Sequence, residues 1–235
     1  KSLIKGQNVI SFLNSKFNTE YENNIESIKF NSNNSKINSS KINYEGKLSI
    51  NPFDLDLNIN LNNFKISKLF NSNIIFIEFL KSELLFHENI NLNTSLTINS
   101  NTNEDFFHNV QIYFNILNGR MNLDSSKFIN KDIGLLELNN SNLLFENNAL
   151  ILNTDILFEI KNQDALFSYL NTNKKLRKEI RNILVNLNYD FLTNQIELNN
   201  IKVNNNEVSR QFLNIAEDFK DNNLNNLVKT RRLLN

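Results

Sequence analysis

From Phe53 to Leu61 every second residue is apolar: Phe53, Leu55, Leu57, Ile59 and Leu61, with Asp54, Asp56, Asn58 and Asn60 between them. Period two sends alternate side chains to opposite faces of an extended chain, so this segment predicts a β-strand with one apolar and one polar face. Leu48 and Ile50 carry the same alternation up to Asn51-Pro52, a turn signal in which the only proline removes no ladder hydrogen bond. Most later segments repeat this one-sided pattern.

Upstream, residues 1–22 have mixed apolar spacing and predict a short helix or an edge strand, within an edge segment that runs to residue 24. Ile28 and Phe30 begin a strand, Ser32 to Ser35 predict a polar loop, and Gly46 marks a bulge or a close backbone approach in the strand from Ile42 to Ile50. Between Ile66 and Leu80 the apolar spacing changes to three and four, predicting one or two short helices over 66–82. Period two returns from Ile90 to Ile98 and from Val110 to Ile116, with a loop from Asn101 to Asp105 between them. Asn118-Gly119 is a hairpin signal, with Met121 and Leu123 on the return.

Gly134 to Phe145 predicts a strand with a register change near Asn139 to Asn142, followed by a turn at Asn147-Asn148 and a long strand from Leu150 to Ile160. A short helix over Gln163 to Leu170 precedes strands from Ile183 to Phe191 and from Ile196 to Val203, the latter bulged near Asn199-Asn200. Terminal helices are expected over 205–235. The total is about ten strands, several longer than the usual five or six residues. Long strands with one apolar face form a sandwich, a barrel, or a curved sheet whose apolar concavity holds something else. An outer-membrane barrel fits poorly, because the chain has no Trp, no aromatic girdle pattern, and helical segments that a barrel wall does not accommodate.

Composition narrows the function classes. Asn makes up about a fifth of the chain, a level associated with disordered or low-complexity tracts. Hydrophobic residues nevertheless reach 40%, with 19 Phe, enough apolar surface for a core. Codon bias in an AT-rich genome accounts for the Asn, which then replaces other polar residues on solvated faces. The 25 basic and 25 acidic residues balance to a net charge of zero, which argues against nucleic acid as a partner. With no Cys, disulfides and thiol chemistry are excluded, and two separated His leave little scope for a transition-metal site.

No run approaches the roughly 18 apolar residues needed to span a bilayer. Asp54 and Asp56 share a polar strand face and read as solvated charges, and His87 and His108 read as isolated structural or surface residues. No enzyme, cofactor or metal site is expected.

The run Gly46-Lys47-Leu48-Ser49-Ile50-Asn51-Pro52-Phe53, with the alternation to Leu61, resembles the AsmA-like proteins of Gram-negative envelopes. The later order is similar too: a helical insert, then KSELLFHENINLNTSLTI at Lys81 to Ile98, NGRMNLDSSKF at Asn118 to Phe128, and GLLELNNSNLLFENNALILNTDILFEI at Gly134 to Ile160. Arg177 to Asn204 has the look of that family's C-terminal region. The likeness runs over about residues 25 to 235 and is tightest over 44–61 and 118–204.

It implies a mainly β fold: an elongated, curved antiparallel sheet forming a β-groove, with short helical inserts and a C-terminal helix. Residues 1–235 then read as one AsmA-like domain of a longer periplasmic protein, held at the inner membrane by an anchor outside this chain. The expected role is non-enzymatic: phospholipid transport between membranes and outer-membrane assembly.

On that reading the groove face is Leu55, Leu57, Ile59, Leu61, Ile112, Phe114, Leu150, Leu152, Ile156, Phe158, Val185 and Leu187, which would shield phospholipid acyl chains. Lys174, Lys175, Arg177, Lys178 and Arg181 form the densest basic cluster and would meet anionic headgroups; the alternative is an ordinary solvated stretch. The rival from another class is a structural or adhesive β-sandwich or solenoid that binds other proteins, in which the same apolar residues make a closed core.

Overall fold

The computed structural model describes residues 3–12, 14–66, 86–100, 105–146, 149–193 and 195–208. The fold is mainly β. The chain divides into two compact units, Lys1–Ser126 and Lys127–Asn235.

The first unit holds β1 (Ile4–Phe12), β2 (Ser15–Asn23), β3 (Ser27–Ile37), β4 (Ser40–Ile50), β5 (Phe53–Asn62), β6 (Ile90–Asn99), β7 (Asn109–Leu117) and β8 (Arg120–Asn122). They pair in sequence order, each with the next. All these pairs are antiparallel hairpin neighbours except β5 and β6, which run parallel in unbroken register from Phe53↔Ile90 to Asn62↔Asn99. A parallel pair requires a crossover connection between its strands.

In the second unit are β9 (Lys127–Asn130), β10 (Gly134–Glu146), β11 (Ala149–Ile160), the helix α1 (Gln163–Tyr169), β12 (Asn182–Asp190), β13 (Gln195–Val203) and β14 (Asn206–Glu207). β9 pairs with β10, and β10 to β14 follow one another, all antiparallel. Asn162 caps α1 by accepting from the Ala165 N–H at 3.0 Å, and the helix buries Leu166 and Phe167.

Several sequence expectations change. The amino-terminal segment takes the strand alternative, as two paired strands, with no helix among its described residues. Ser32 to Ser35 is a bulge inside β3 instead of a loop: the register shifts there, and the buried Ser32 and Ser35 hydroxyls bond each other at 2.6 Å. That bond satisfies two polar groups without solvent, which is why a polar stretch can stay in a strand. The described strands number fourteen instead of ten. Asn206 and Glu207 form the return of a tight hairpin with β13, where a terminal helix was expected. The helices expected over 66–82 and beyond 208 and the turn at Asn147-Asn148 lie outside the described residues, Ile66 and Val208 aside. The register change between Asn139 and Asn142, the α1 segment and the bulge near Asn200 are as expected.

Asn has a conformational task that composition does not reveal. Asn38, Asn63, Asn118, Asn140, Asn171, Asn200, Asn204 and Asn205 all have positive φ between 48° and 65°. This left-handed region is closed to most L-residues but tolerated by Asn, whose short side chain can hydrogen-bond locally. In a chain with only four Gly, Asn supplies the turns and bulges on which strand registers depend. Asn118 and Gly119, at φ of 52° and 71°, form the β7–β8 hairpin turn that their sequence predicts.

Candidate functional site

Residues paired across neighbouring strands project from the same face, so registers trace rows across each sheet. In the first unit one row runs Gly6, Tyr21, Phe30, Gly46, Leu57, Thr94, Phe114. Its neighbours are Tyr44, Ile59, Leu96, Ile112 on one side and Leu48, Leu55, Leu92, Ile116 on the other. The row beyond Ile59 is Ile42, Leu61, Ile98, Val110. The structure therefore brings Leu55, Leu57, Ile59, Leu61, Ile112 and Phe114 onto one apolar face.

Burial divides that face. Ile98 and Val110 are 0% exposed, and Ile42 and Leu61 are buried beside them in the same row. Phe64 and Ile66, just past β5, are buried as well. The buried carboxylate of Asp105 accepts from the Ile66 N–H at 3.0 Å and from the Ser100 hydroxyl at 2.6 Å. This end is a closed core fastened by a satisfied polar group. Leu55, Leu57, Ile59, Ile112 and Phe114, by contrast, are only half-buried. The eight described strands lie on one path with no second sheet among them, so no described strand of this unit forms a second layer over these rows.

Two aromatic rings lie across gaps in the same face. A Cβ on Gly46 would fall 2.6 Å from the Phe30 ring, and one on Gly6 would meet the Tyr21 ring. The register is continuous at Gly46, so this glycine marks the close approach and not the bulge. Each ring covers backbone that a glycine leaves bare, which keeps the face apolar where a side chain is missing.

On the opposite face the polar residues form cross-strand ladders. Asn93 donates to Asp56 at 3.2 Å, Ser95 to Asn58 at 2.6 Å, and Asn99 to Asn62 at 3.2 Å, each between paired residues of β5 and β6. Two depressions open on this face. One of about 950 Å³ spans β1 to β5 and is lined by Lys5, Glu22, Lys29, Lys47 and Asp56 among others. The other, of about 400 Å³, is lined by residues that include Asn93, Ser95, Tyr113 and Asp124.

In the second unit Leu138, Ile156 and Val185 form one row and Leu136, Phe158, Ile183 and Val203 another. Leu152 and Leu187 lie on the same face, and Leu152, Ile156, Phe158, Val185 and Leu187 are all half-buried. Leu150, at 0% exposed, belongs with buried Leu143 and Thr154 to a closed core. There the Ser141 and Thr154 hydroxyls bond each other at 2.6 Å beside the β10 register shift.

The polar face of this unit centres on Asp155. Asn140 donates to it at 2.8 Å and Asn186 at 3.0 Å, joining β10, β11 and β12. These two bonds, Asn140 first, hold the Asp155 carboxyl below its ordinary value, because both stabilise the charged form. A depressed folded pKa contributes stability that is fully present above the unfolded value of about 4 and is lost as pH falls through the folded value. The variant N140G/N186A, in which glycine keeps the left-handed backbone at position 140, is expected to raise the Asp155 pKa toward the ordinary carboxylate value, read by carbon NMR titration. It should cost less than about 1 kcal/mol of stability at neutral pH, since the site is largely solvent-screened, and move the acid-unfolding midpoint to slightly higher pH.

The basic cluster is not a uniform patch. Lys174, Lys175 and Lys178 are exposed, the first two in a 3-10 turn over Lys174–Leu176. Arg177 is half-buried: its Nε donates to the Thr172 carbonyl at 3.2 Å and its guanidinium lies 5.6 Å from the centre of the Phe167 ring. It fastens the end of α1 to the following turn, a placement no charge pattern reveals. Arg181 pairs with Glu179 at 2.7 Å.

His87 accepts from the Asn89 N–H at 3.3 Å, while His108 is half-buried near the end of the loop preceding β7. Among the described residues no three His, Asp or Glu are grouped to hold a metal ion, and no helix is long and apolar enough to cross a membrane. No protein-family model, curated protein or solved structure matches this chain.

Proposed function

We propose that this chain is a non-enzymatic lipid-handling module of AsmA-like type, in which half-open apolar rows shield phospholipid acyl chains. The observation that carries the reading is the partial burial of Leu55, Leu57, Ile59, Ile112 and Phe114 in the first unit. Leu152, Ile156, Phe158, Val185 and Leu187 form a comparable half-buried set in the second unit. A sandwich core would bring such residues close to full burial, as happens at Ile98, Val110 and Leu150.

Acyl chains need no specific side chain, only continuous apolar area, and each methylene shielded from water contributes about 0.8 kcal/mol. The reading therefore needs no convergent polar site. On the resemblance in sequence, the module works in the periplasm on the inner-membrane side and takes part in phospholipid transport and outer-membrane assembly. Lys174, Lys175 and Lys178 are the exposed cations available to anionic headgroups, each worth about 1 kcal/mol near a charged surface.

Native mass spectrometry with lipid extraction tests this on protein expressed in a bacterial periplasm. Copurifying phospholipid is expected, with little preference among headgroups. A preparation that carries no lipid, and takes none up from vesicles of phosphatidylethanolamine and phosphatidylglycerol, would refute the lipid role.

A further inference from the structure

Three turns of the first unit lie at one end of its strands: β2–β3 at Asn24 to Glu26, β4–β5 at Asn51-Pro52 and β7–β8 at Asn118-Gly119. The registers place them together, since Ser27 pairs with Ser49, Phe53 with Ile90 and Leu92 with Ile116. Turns are usually built from Gly, Pro, Asn, Asp and Ser. Each of these is also tipped or flanked by a large apolar side chain in the open. Ile25 is 83% exposed, Ile50 67%, Leu117 55% and Phe53 38%.

The turn that presents Ile25 is fastened. The Asn24 side-chain oxygen accepts from the Glu26 and Ser27 N–H groups at 2.9 and 2.8 Å, and the Asn24 N–H donates to the Ser27 carbonyl at 3.0 Å. A tip held this way has little left to order on binding. At the opposite end β3–β4 turns through polar Asn38-Ser39, and Phe12 is the one large apolar residue left exposed among the described residues there.

The spacing of the tips selects their partner. The three turns stand about 10 Å and about 14 Å apart along the sheet end, so their apolar side chains are separate points instead of one patch. A protein partner would need a matching hollow for each, whereas the interfacial layer of a bilayer takes up isolated apolar side chains of any arrangement. Ile50 and Phe53 pair on the same face as half-buried Leu48 and Leu55, so apolar surface runs from the tips onto the open rows. Exposed charges beside the tips are of both signs, Glu26, Glu88 and Arg120, so anionic lipid is not required.

We propose that this end of the first unit docks on a bilayer, with Ile25, Ile50, Phe53 and Leu117 inserted below the headgroups. Docking uses only the tips, so it stands or falls separately from acyl-chain shielding by the rows behind them.

The chain contains no Trp, so one introduced indole reports insertion without background. With vesicles of phosphatidylcholine, the emission of Ile25→Trp and Leu117→Trp should move to shorter wavelength and be quenched by brominated acyl chains. Phe12→Trp, at the opposite end, should show neither effect. The variant I25D/I50D should weaken vesicle flotation at least tenfold with the circular dichroism unchanged. Phe12→Asp, and L57D/F114D, which charges the open rows and spares the tips, should float as the unmodified chain does. An unmodified chain that does not float, equal quenching at positions 12 and 25, or normal flotation of I25D/I50D would overturn the proposal. Loss of flotation by L57D/F114D with I25D/I50D unaffected would place the contact on the open rows and overturn it too.

Discussion

Truncating Ile98 to Ala should lower the unfolding free energy by about 3 kcal/mol, whereas truncating Ile59 on the adjacent strand should cost about 1 kcal/mol. Both residues are isoleucines on the same apolar face, in adjoining rows of β5 and β6. Ile98 is 0% exposed, so its removal leaves a cavity that its neighbours fill only partly. Ile59 is half-buried, so its truncation loses only part of a transfer free energy and opens no void. Urea unfolding of the two variants reads the difference directly. Equal losses of about 3 kcal/mol would mean that protein packs over the middle rows as it does over the closed end.

Placing charge on the middle rows should remove bound lipid while leaving the fold in place. In the variant L57D/F114D two carboxylates enter one row, on either side of Thr94. A carboxylate cannot be covered by an acyl chain without losing its hydration, a cost of several kcal/mol that far exceeds what one methylene contributes. Since about 1.4 kcal/mol is tenfold in affinity, bound phospholipid should fall at least tenfold. Asn58→Asp adds one such charge, one residue along β5 but on the opposite face, and should leave lipid content unchanged. Lipid extraction with circular dichroism of the three proteins checks both expectations. Equal loss from Asn58→Asp would point to general charge repulsion and away from an apolar lipid surface.

Much of the fold is legible in the sequence because period two is a direct signature of a strand with two unlike faces. Phe53 to Leu61, Ile90 to Ile98 and Leu150 to Ile160 all lie in strands, and Asn118-Gly119 turns where it should. What the sequence hides depends on pairing. Nothing local to β5 or β6 says that they run parallel, so the ladders from Asn93 to Asp56 and from Ser95 to Asn58 could not be foreseen. Ser32 to Ser35 looks like a loop because its residues are polar, yet its hydroxyls satisfy each other in a buried bulge.

The candidate site is legible as a face and not as a degree of burial. Leu57 and Leu61 have the same residue type and parity, and only Leu61 is closed in, at the end where Asp105 fastens Ile66. Asp105 itself carries no signal beyond sitting at the end of a polar segment. Asn content was a matter of genome composition in the sequence, but the backbone gives eight of these residues the left-handed positions that glycine usually takes.

The most direct measurement compares two adjacent positions on β5 that face opposite ways. A photoreactive benzoylphenylalanine is placed at Leu57 in one protein and at Asn58 in another, and each is irradiated after expression in a bacterial periplasm. Cross-linked phospholipid, identified by mass spectrometry through its acyl chain, is expected at position 57 and not at 58. Cross-links at 57 that reach only protein, or lipid captured equally at both positions, would contradict an apolar face that shields acyl chains.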